Sequence, residues 1–373
     1  MNLELKKVSS EQDKKKFIRL PWAIYNDNPL WVPPLLVERK KFLDPQINPF
    51  FEHAEVELYL VHSTGGEPVG RVALIGDRAY NEFHSENVGF IGMFECIEDQ
   101  AAANLLLDTA HDWCRSRGFQ KMMGPMNLST NHECGLLVEG FDIPPMIGIP
   151  FNPPYYPDLF TQWGMVKAKD LLSLKLHPKK IPDYLERAMA KIRKRGHFTL
   201  RHLRLNRFDQ EIDILWEVYN SAWSRNWGFV PMTRKEFGFA AKEMNRIILP
   251  DLCFVAEVKG QPAGFSLSLP NINQALKSMN GKIFPFGLVK YHLNKKKIDG
   301  YRVLTLGVKK NFQNMGIDVG FYYETYKWLA QNQAALIEMS WILEDNRAML
   351  GPIRRIGGKV YKRHRIYERI CRS

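Results

Sequence analysis

Two stretches of this chain follow one plan, and that repetition constrains the fold more than any single residue. LYLVHSTGGEPVGRVALI at 58–75 and CFVAEVKGQPAGFSLSL at 253–269 each run an apolar strand into a Gly-containing turn, then x-Pro-x-Gly into a second strand. The pattern reads as a β-hairpin, and its return signals a duplicated unit. Gly70 and Gly264 stand 194 residues apart, and Gly164 in FTQWGMV stands 193 residues before Gly357 in IRRIGGKV. Two offsets that agree so closely favour duplication. A length of 373 residues suits two domains, since a single core stops growing at about 250–300 residues. The expected spans are 1–176 and 177–373, joined in HPKKIPDYLERAMAKIRKRG, where Pro178 and Pro182 end the strand LLSLKL and a basic helix follows.

Each half orders its elements alike: strand, helices, hairpin, strand, long helix, strand, short helix, final strand. That order predicts a mixed α/β sheet with helices on both faces. The long helices are AAANLLLDTAHDWCRSR at 101–117, closed by Gly118, and IDVGFYYETYKWLAQNQ at 317–333. In the second, Ile317, Phe321 and Thr325 and then Tyr322, Tyr326 and Leu329 recur at helical spacing, a stripe read as core packing. The segment 124–160 is too rich in Pro, Gly and Asn for regular structure and reads as a long ordered loop that lines a site.

Composition removes several function classes. A 45% hydrophobic and 25% charged chain is an ordinary globular one. No apolar run approaches the roughly 18 residues of a membrane span, and MNLELKKVSSEQDKKKF does not read as a secretory signal. Five scattered cysteines with no C-x-x-C pair suggest neither zinc nor a redox motif, so no metal is expected and the reducing cytoplasm is the expected home. No Ser-His-Asp spacing, H-E-x-x-H, Walker loop or RNA-binding signature occurs. A net charge of +12 calls for an anionic partner: nucleic acid, an anionic membrane surface or a phosphorylated cofactor all fit.

The chemistry concentrates in VLTLGVKKNFQNMGID, 303–318, where an apolar strand enters a polar turn and then the long helix. The first N–H groups of a helix lack intrahelical acceptors and carry partial positive charge, so such a turn can bind a pyrophosphate if the backbone approaches closely. Gly316 permits that approach, and Lys309 and Lys310 add charge.

Gln313-x-x-Gly316 after a strand resembles the R/Q-x-x-G-x-G/A acetyl-CoA loop of the GNAT (N-acetyltransferase-like) superfamily, with Asp318 departing at the last position. Downstream, LIEMSWI at 336–342 and then LEDNRAMLGPIRRIGGKVYKRHRIYE resemble the closing GNAT motif, with Asn346 and Gly357 in its Asn and Gly places. The resemblance implies two tandem GNAT-like acyl-CoA N-acyltransferase domains. The specific motifs lie only in 303–367, while ECIEDQ at 95–100 sets Glu95, Glu98 and Asp99 where a pyrophosphate turn would sit, so 1–176 reads as a degenerate, CoA-free copy.

The same resemblance implies the site. Acyl-CoA, acetyl or longer, is held by Leu306, Gly307, Val308, Gln313, Asn314, Met315, Gly316, Ile317, Asp318 and Asn346. An amide at or beside Val308 polarises the thioester carbonyl. The family's Tyr, seven residues past the Asn, is replaced by Ile353, so a proton donor must come from elsewhere, with Tyr361 and Tyr367 as candidates. Glu338 and Ser340 share one face of the 336–342 strand; Glu338 is the candidate base and Ser340 its neighbour. Glu344 and Asp345 suit an amine-binding rim, Trp341 is a further candidate for contact with the substrate, and Asn131, with Asn127, His132 and Glu133, suits an acceptor pocket.

The insert 271–301 sets Ile283, Phe284, Phe286, Leu288 and Val289 among Lys282, Lys290 and 295–297, which suits a membrane surface, a lid over an acyl chain, or packing on the first domain. Tandem GNAT relatives leave several expectations standing. The first is acyl transfer to an unknown small-molecule or lipid amine, acetyl by default. The others are long-chain acylation of an amino lipid at the inner membrane face, aminoacyl transfer from tRNA, and a non-catalytic binding module.

Overall fold

A computed structural model of the protein describes residues 2–371, so residues 1, 372 and 373 of the expected spans lie outside the described residues. The fold is mixed α/β. Its strands are β1 (Leu3–Lys7), β2 (Ala54–Ser63), β3 (Pro68–Asp77), β4 (Val88–Cys96), β5 (Lys121–Gly124), β6 (Leu136–Glu139), β7 (Val166–Leu176), β8 (Thr199–His202), β9 (Cys253–Val258), β10 (Gln261–Pro270), β11 (Gly300–Val308), β12 (Leu336–Leu343) and β13 (Lys359–Ile370).

The chain forms two compact units. The first holds the chain through Leu171, the segment Leu276–Tyr291 and the chain from Lys362 onward; the second holds Leu172–Ala275 and His292–Tyr361. Within the first, β1, β2, β3 and β4 pair antiparallel in turn and β4 pairs parallel with β5. Within the second, β8, β9, β10 and β11 pair antiparallel in turn and β11 pairs parallel with β12. One set of pairings occurs twice, which is the duplication that the glycine offsets indicate.

Each long helix follows the fourth strand of its repeat. In Gln100–Ser116 the buried residues are Ala102, Ala103, Leu106, Leu107, Ala110, Trp113 and Cys114, a stripe that seals one face of the first sheet. Helix Ile317–Gln331 buries Phe321, Tyr322, Thr325, Tyr326 and Leu329 in the same way.

The final strands follow a plan that sequence order does not show. β13, at the end of the second sequence repeat, completes the first unit, antiparallel to β5 from Tyr367↔Gly124 to Ile370↔Lys121. β6 lies on the same strand, Leu136 opposite Arg365. This regular segment lies inside the stretch 124–160 that reads as loop throughout, and helix Tyr156–Gln162 begins within it. Four residues make a strand there because their partner comes from more than two hundred residues away, and no local pattern carries that information. β7 starts in the first unit, where Asp170 accepts from Arg363 and Arg365 at 2.7–3.1 Å. It ends in the second, where Leu172, Leu174 and Leu176 join the core.

Candidate active site

The parallel pairing of β11 with β12 runs from Gly300↔Leu336 to Val303↔Met339 and stops there. β11 continues on its other neighbour, with Thr305 opposite Leu267 and Val308 opposite Gly264. Its free edge over 304–308 therefore parts from β12 and opens a cleft of about 420 Å³ within the second unit. Leu304, Thr305, Leu306, Gly307 and Val308 form one wall, and Met339, Ser340, Trp341, Ile342 and Leu343 the other. Trp223 and Asn226, just past helix Phe208–Ala222, and Ile317, Asp318 and Tyr322 of the long helix close the ends.

At the mouth of the splay stands the turn into helix Ile317–Gln331. Gly316 is its N-cap, at φ +82°. Glycine adopts that left-handed backbone at no steric cost, and an added Cβ would come within 2.7 Å of Ile192 Cδ1. No side chain caps this helix; the Asp318 carboxylate, although in the first turn, does not take its amides. A helix start without a capping side chain leaves polarised N–H groups for an anion. Helix Asp183–Arg195, whose Ile192 touches Gly316, exposes Lys191, Lys194 and Arg195 at its end.

The first repeat is closed at both equivalent places. Asp99 caps helix Gln100–Ser116, its carboxylate accepting from Ala101 N at 2.8 Å and Ala102 N at 3.1 Å. The gap past the β4–β5 pairing is filled by the chain itself: Met126 N donates to Ile91 O, and Met93 N to Asn127 Oδ1 at 2.7 Å. The backbone approaches so closely that a Cβ on Gly92 would lie 1.8 Å from Met126 O. Glu95 is buried against Tyr25, Tyr156 and Arg71 at 2.7–3.4 Å. Burial raises its pKa, and the Arg71 charge offsets only part of that rise.

Behind the open cleft lies a buried polar network. Arg302 Nε donates to Ser340 Oγ at 2.9 Å, and Ser340 Oγ donates to Glu338 Oε1 at 2.5 Å. Arg302 stands 3.9 Å from the same carboxylate, while the Tyr361 hydroxyl donates to Glu338 Oε2. Burial, then the charge of Glu338, raises the Tyr361 pKa, so the phenol stays protonated. Thr305 Oγ1 is buried in the cleft wall with no hydrogen-bond partner among the described residues, its donor and acceptor capacity unused.

The structure brings Leu306, Gly307, Val308, Gln313, Asn314, Ile317, Asp318, Ser340, Trp341 and Asn346 to the cleft. Gly316 shapes its mouth, Met315 packs into the core beside it, and Asn346 also caps helix Arg347–Arg355 through Met349 N at 3.2 Å. Glu338 and Tyr361 sit one layer behind the wall, with Ser340 as their contact to the cleft. Glu344 follows β12 and is half-buried. Ile353 is fully buried in the second unit's core and Tyr367 in the first unit's. Asn131 belongs to the first unit, its N–H on Ser129 Oγ at 3.2 Å, and Glu133 there is held by Arg39.

Trp223, Asn226, Thr305 and Tyr322 are wall residues that the sequence does not single out. Tyr322 reads as core from its spacing and is core on one side; its hydroxyl meets Met349 Sδ at 3.5 Å at the cleft. Only its place on the helix that follows the Gln313–Gly316 turn could have marked it.

A splayed parallel pair followed by an uncapped helix start, in a duplicated unit, is the architecture of a tandem GNAT protein. The tandem GNAT protein from the clavulanic acid biosynthesis pathway superposes with a TM-score of 0.58 at 11% identity, covering 100% of this chain and 99% of its own. A GCN5-related N-acetyltransferase from Sphaerobacter thermophilus gives 0.51 at 12%, covering 100% and 96%. No family model matches the chain. Among curated proteins it is 37% identical over 372 residues to the bacterial ceramide synthase of Caulobacter vibrioides, covering 97% of this chain and 96% of that one. It is 35% identical over 369 residues to protein YghO of Escherichia coli, covering 96% and 93%. The chain belongs to the family of these two proteins, and its fold is that of the tandem GNAT proteins.

Proposed function

We propose that the protein transfers a long-chain acyl group from acyl-CoA to the primary amine of an amino lipid at the cytoplasmic membrane face, forming an amide. The observation that carries the reading is the open splay of β11 from β12, ending at a helix start with no side-chain cap, in a repeat whose twin is closed at both places. The residues present fit the donor: an uncapped N-terminus and basic helix end for its phosphates, the unpartnered Thr305 hydroxyl, and apolar walls of Leu304, Leu306, Met339 and Ile342 for its chain. The name of the Caulobacter relative supports a longer donor than acetyl and an amino-lipid acceptor.

When bound, the donor supplies a thioester carbonyl, at which the amine forms the C–N bond as the C–S bond breaks. The exposed edge of β11 polarises that carbonyl with backbone N–H groups. Ser340, on the wall, relays the ammonium proton toward Glu338, which Arg302 and Tyr361 hold in place. Tyr322, kept protonated chiefly by burial, donates to the departing thiolate. Mass spectrometry of reactions containing acetyl-CoA or palmitoyl-CoA with a sphingoid-type amine tests this: an N-palmitoyl product should form far faster than an N-acetyl one. No amide from either donor, or acetyl transfer alone, overturns the reading.

A further inference from the structure

Half of the exposed large apolar side chains among the described residues fall in one short stretch of the insert. Phe284 is 76% exposed, Phe286 68%, Val289 56% and Leu293 70%, with Leu288 beside them. Helix Gly287–Lys295 carries Val289 and Leu293 one turn apart, and Phe286, just before it, falls on the same face by its i, i+3, i+7 spacing. Leaving such a patch in water is costly, and soluble surfaces seldom concentrate one. The patch is nevertheless firmly mounted. Trp22 Nε1 donates to Asn280 Oδ1 at 2.8 Å, Leu36 N donates to Gly281 O at 3.0 Å, and Met279 is buried. The base is therefore built into the first unit while the tip projects.

The charge around the tip has one sign. Residues 271–298 contain six lysines and no carboxylate, and Lys282, Lys290, Lys295, Lys296 and Lys297 are all exposed. Aliphatic and phenyl side chains ringed by lysines match the interface of an anionic bilayer: rings and chains enter the acyl boundary while ammonium groups stay with phosphates. A nucleic acid would account for the lysines but gives no reason to expose Val289 and Leu293. Nine helical residues span too little to cross a bilayer, and no described helix is long and apolar enough to do so; the geometry is that of an element lying in the interface.

We infer that the segment 282–297 docks the protein on an anionic membrane surface. This deepens the amino-lipid reading and rests on it only for its purpose, which is to bring the enzyme to an acceptor that resides in the bilayer.

Co-sedimentation of the full chain with phosphatidylcholine vesicles containing about 30 mol% phosphatidylglycerol tests the docking. Wild type should pellet with these vesicles, less as salt rises, and stay in solution with phosphatidylcholine alone. The triple variant Phe284→Ser, Phe286→Ser, Leu293→Ser should lose about tenfold or more of that binding with an unchanged circular dichroism spectrum, because these side chains are exposed. On acceptor dispersed in detergent micelles it should turn over like wild type. Docking is overturned if wild type does not pellet at low salt, or if the triple variant pellets equally. It is also overturned if the variant instead converts a dimer to a monomer in sedimentation velocity, which would assign the patch to a second copy. Vesicle binding without turnover on any long-chain amine would overturn the amino-lipid reading and leave the docking intact.

Discussion

Asp99 and Gly316 hold the same station in the two repeats, each the last residue before a long helix, and they differ in what they leave open. Asp99 spends its carboxylate on Ala101 N and Ala102 N, so Asp99→Ala should cost about 1 kcal/mol of stability in urea titration while CoA binding stays unchanged. Glu338 has the opposite character. Its carboxylate is fully buried beside Arg302, and Glu338→Ala removes that partner, so about 3 kcal/mol of stability should be lost. Ser340→Ala should keep the fold and donor affinity and lower kcat by roughly 10²-fold, read by single-turnover kinetics; equal loss from kcat and from donor affinity would contradict the relay. At this scale the sequence exposes what depends on spacing along the chain. Gln313, Gly316 and Asn346 are legible because the strand-turn-helix pattern and the helix cap are local. Thr305, Trp223 and Tyr322 are not, since they acquire a role only when β11 parts from β12.

The strand pairs show how one element plan yields an open and a closed cleft. In the second repeat the β11–β12 pairing ends at Val303, and residues 304–308 face an open cleft among the described residues. In the first, Met126 and Asn127 occupy the β4 edge. Sequence alone signals the difference through the carboxylates of 95–100, yet the plug itself comes from 124–160, where Pro and Gly conceal a well-bonded course. Helix Asp183–Arg195 is the other informative element: it puts Ile192 on Gly316 and three basic side chains at its own end. The double variant Lys191→Glu, Arg195→Glu should weaken CoA binding by roughly tenfold at low salt and much less at high salt, measured by calorimetry. Salt-independent loss would mean that these charges do not face the phosphates.

For the whole molecule, the proposed repeat boundary at 176/177 and the compact units are different divisions. β13 and Tyr367 complete the first unit from the far end of the chain, which a duplication legible only as linear offsets does not reveal. A fragment of residues 1–176 should therefore lack cooperative thermal unfolding by circular dichroism. Asp170 ties the start of β7 to β13. Burial opposes its charge, but hydrogen bonds from Arg365 and Lys167 prevail and hold its pKa below the usual carboxylate range. Its contribution is complete above the unfolded value of about 3.9 and fades as pH falls through the lower folded value. Asp170→Asn should flatten that acid limb in urea midpoints taken from neutral pH down to about 3.

The open helix start is what every functional step needs, and isothermal titration of CoA into wild type and Gly316→Trp addresses it directly. We expect wild type to bind with a Kd in the ~1–100 µM range and the variant, folded by circular dichroism, to show no heat of binding. No binding by wild type at millimolar CoA, or the same Kd for both proteins, would contradict that expectation.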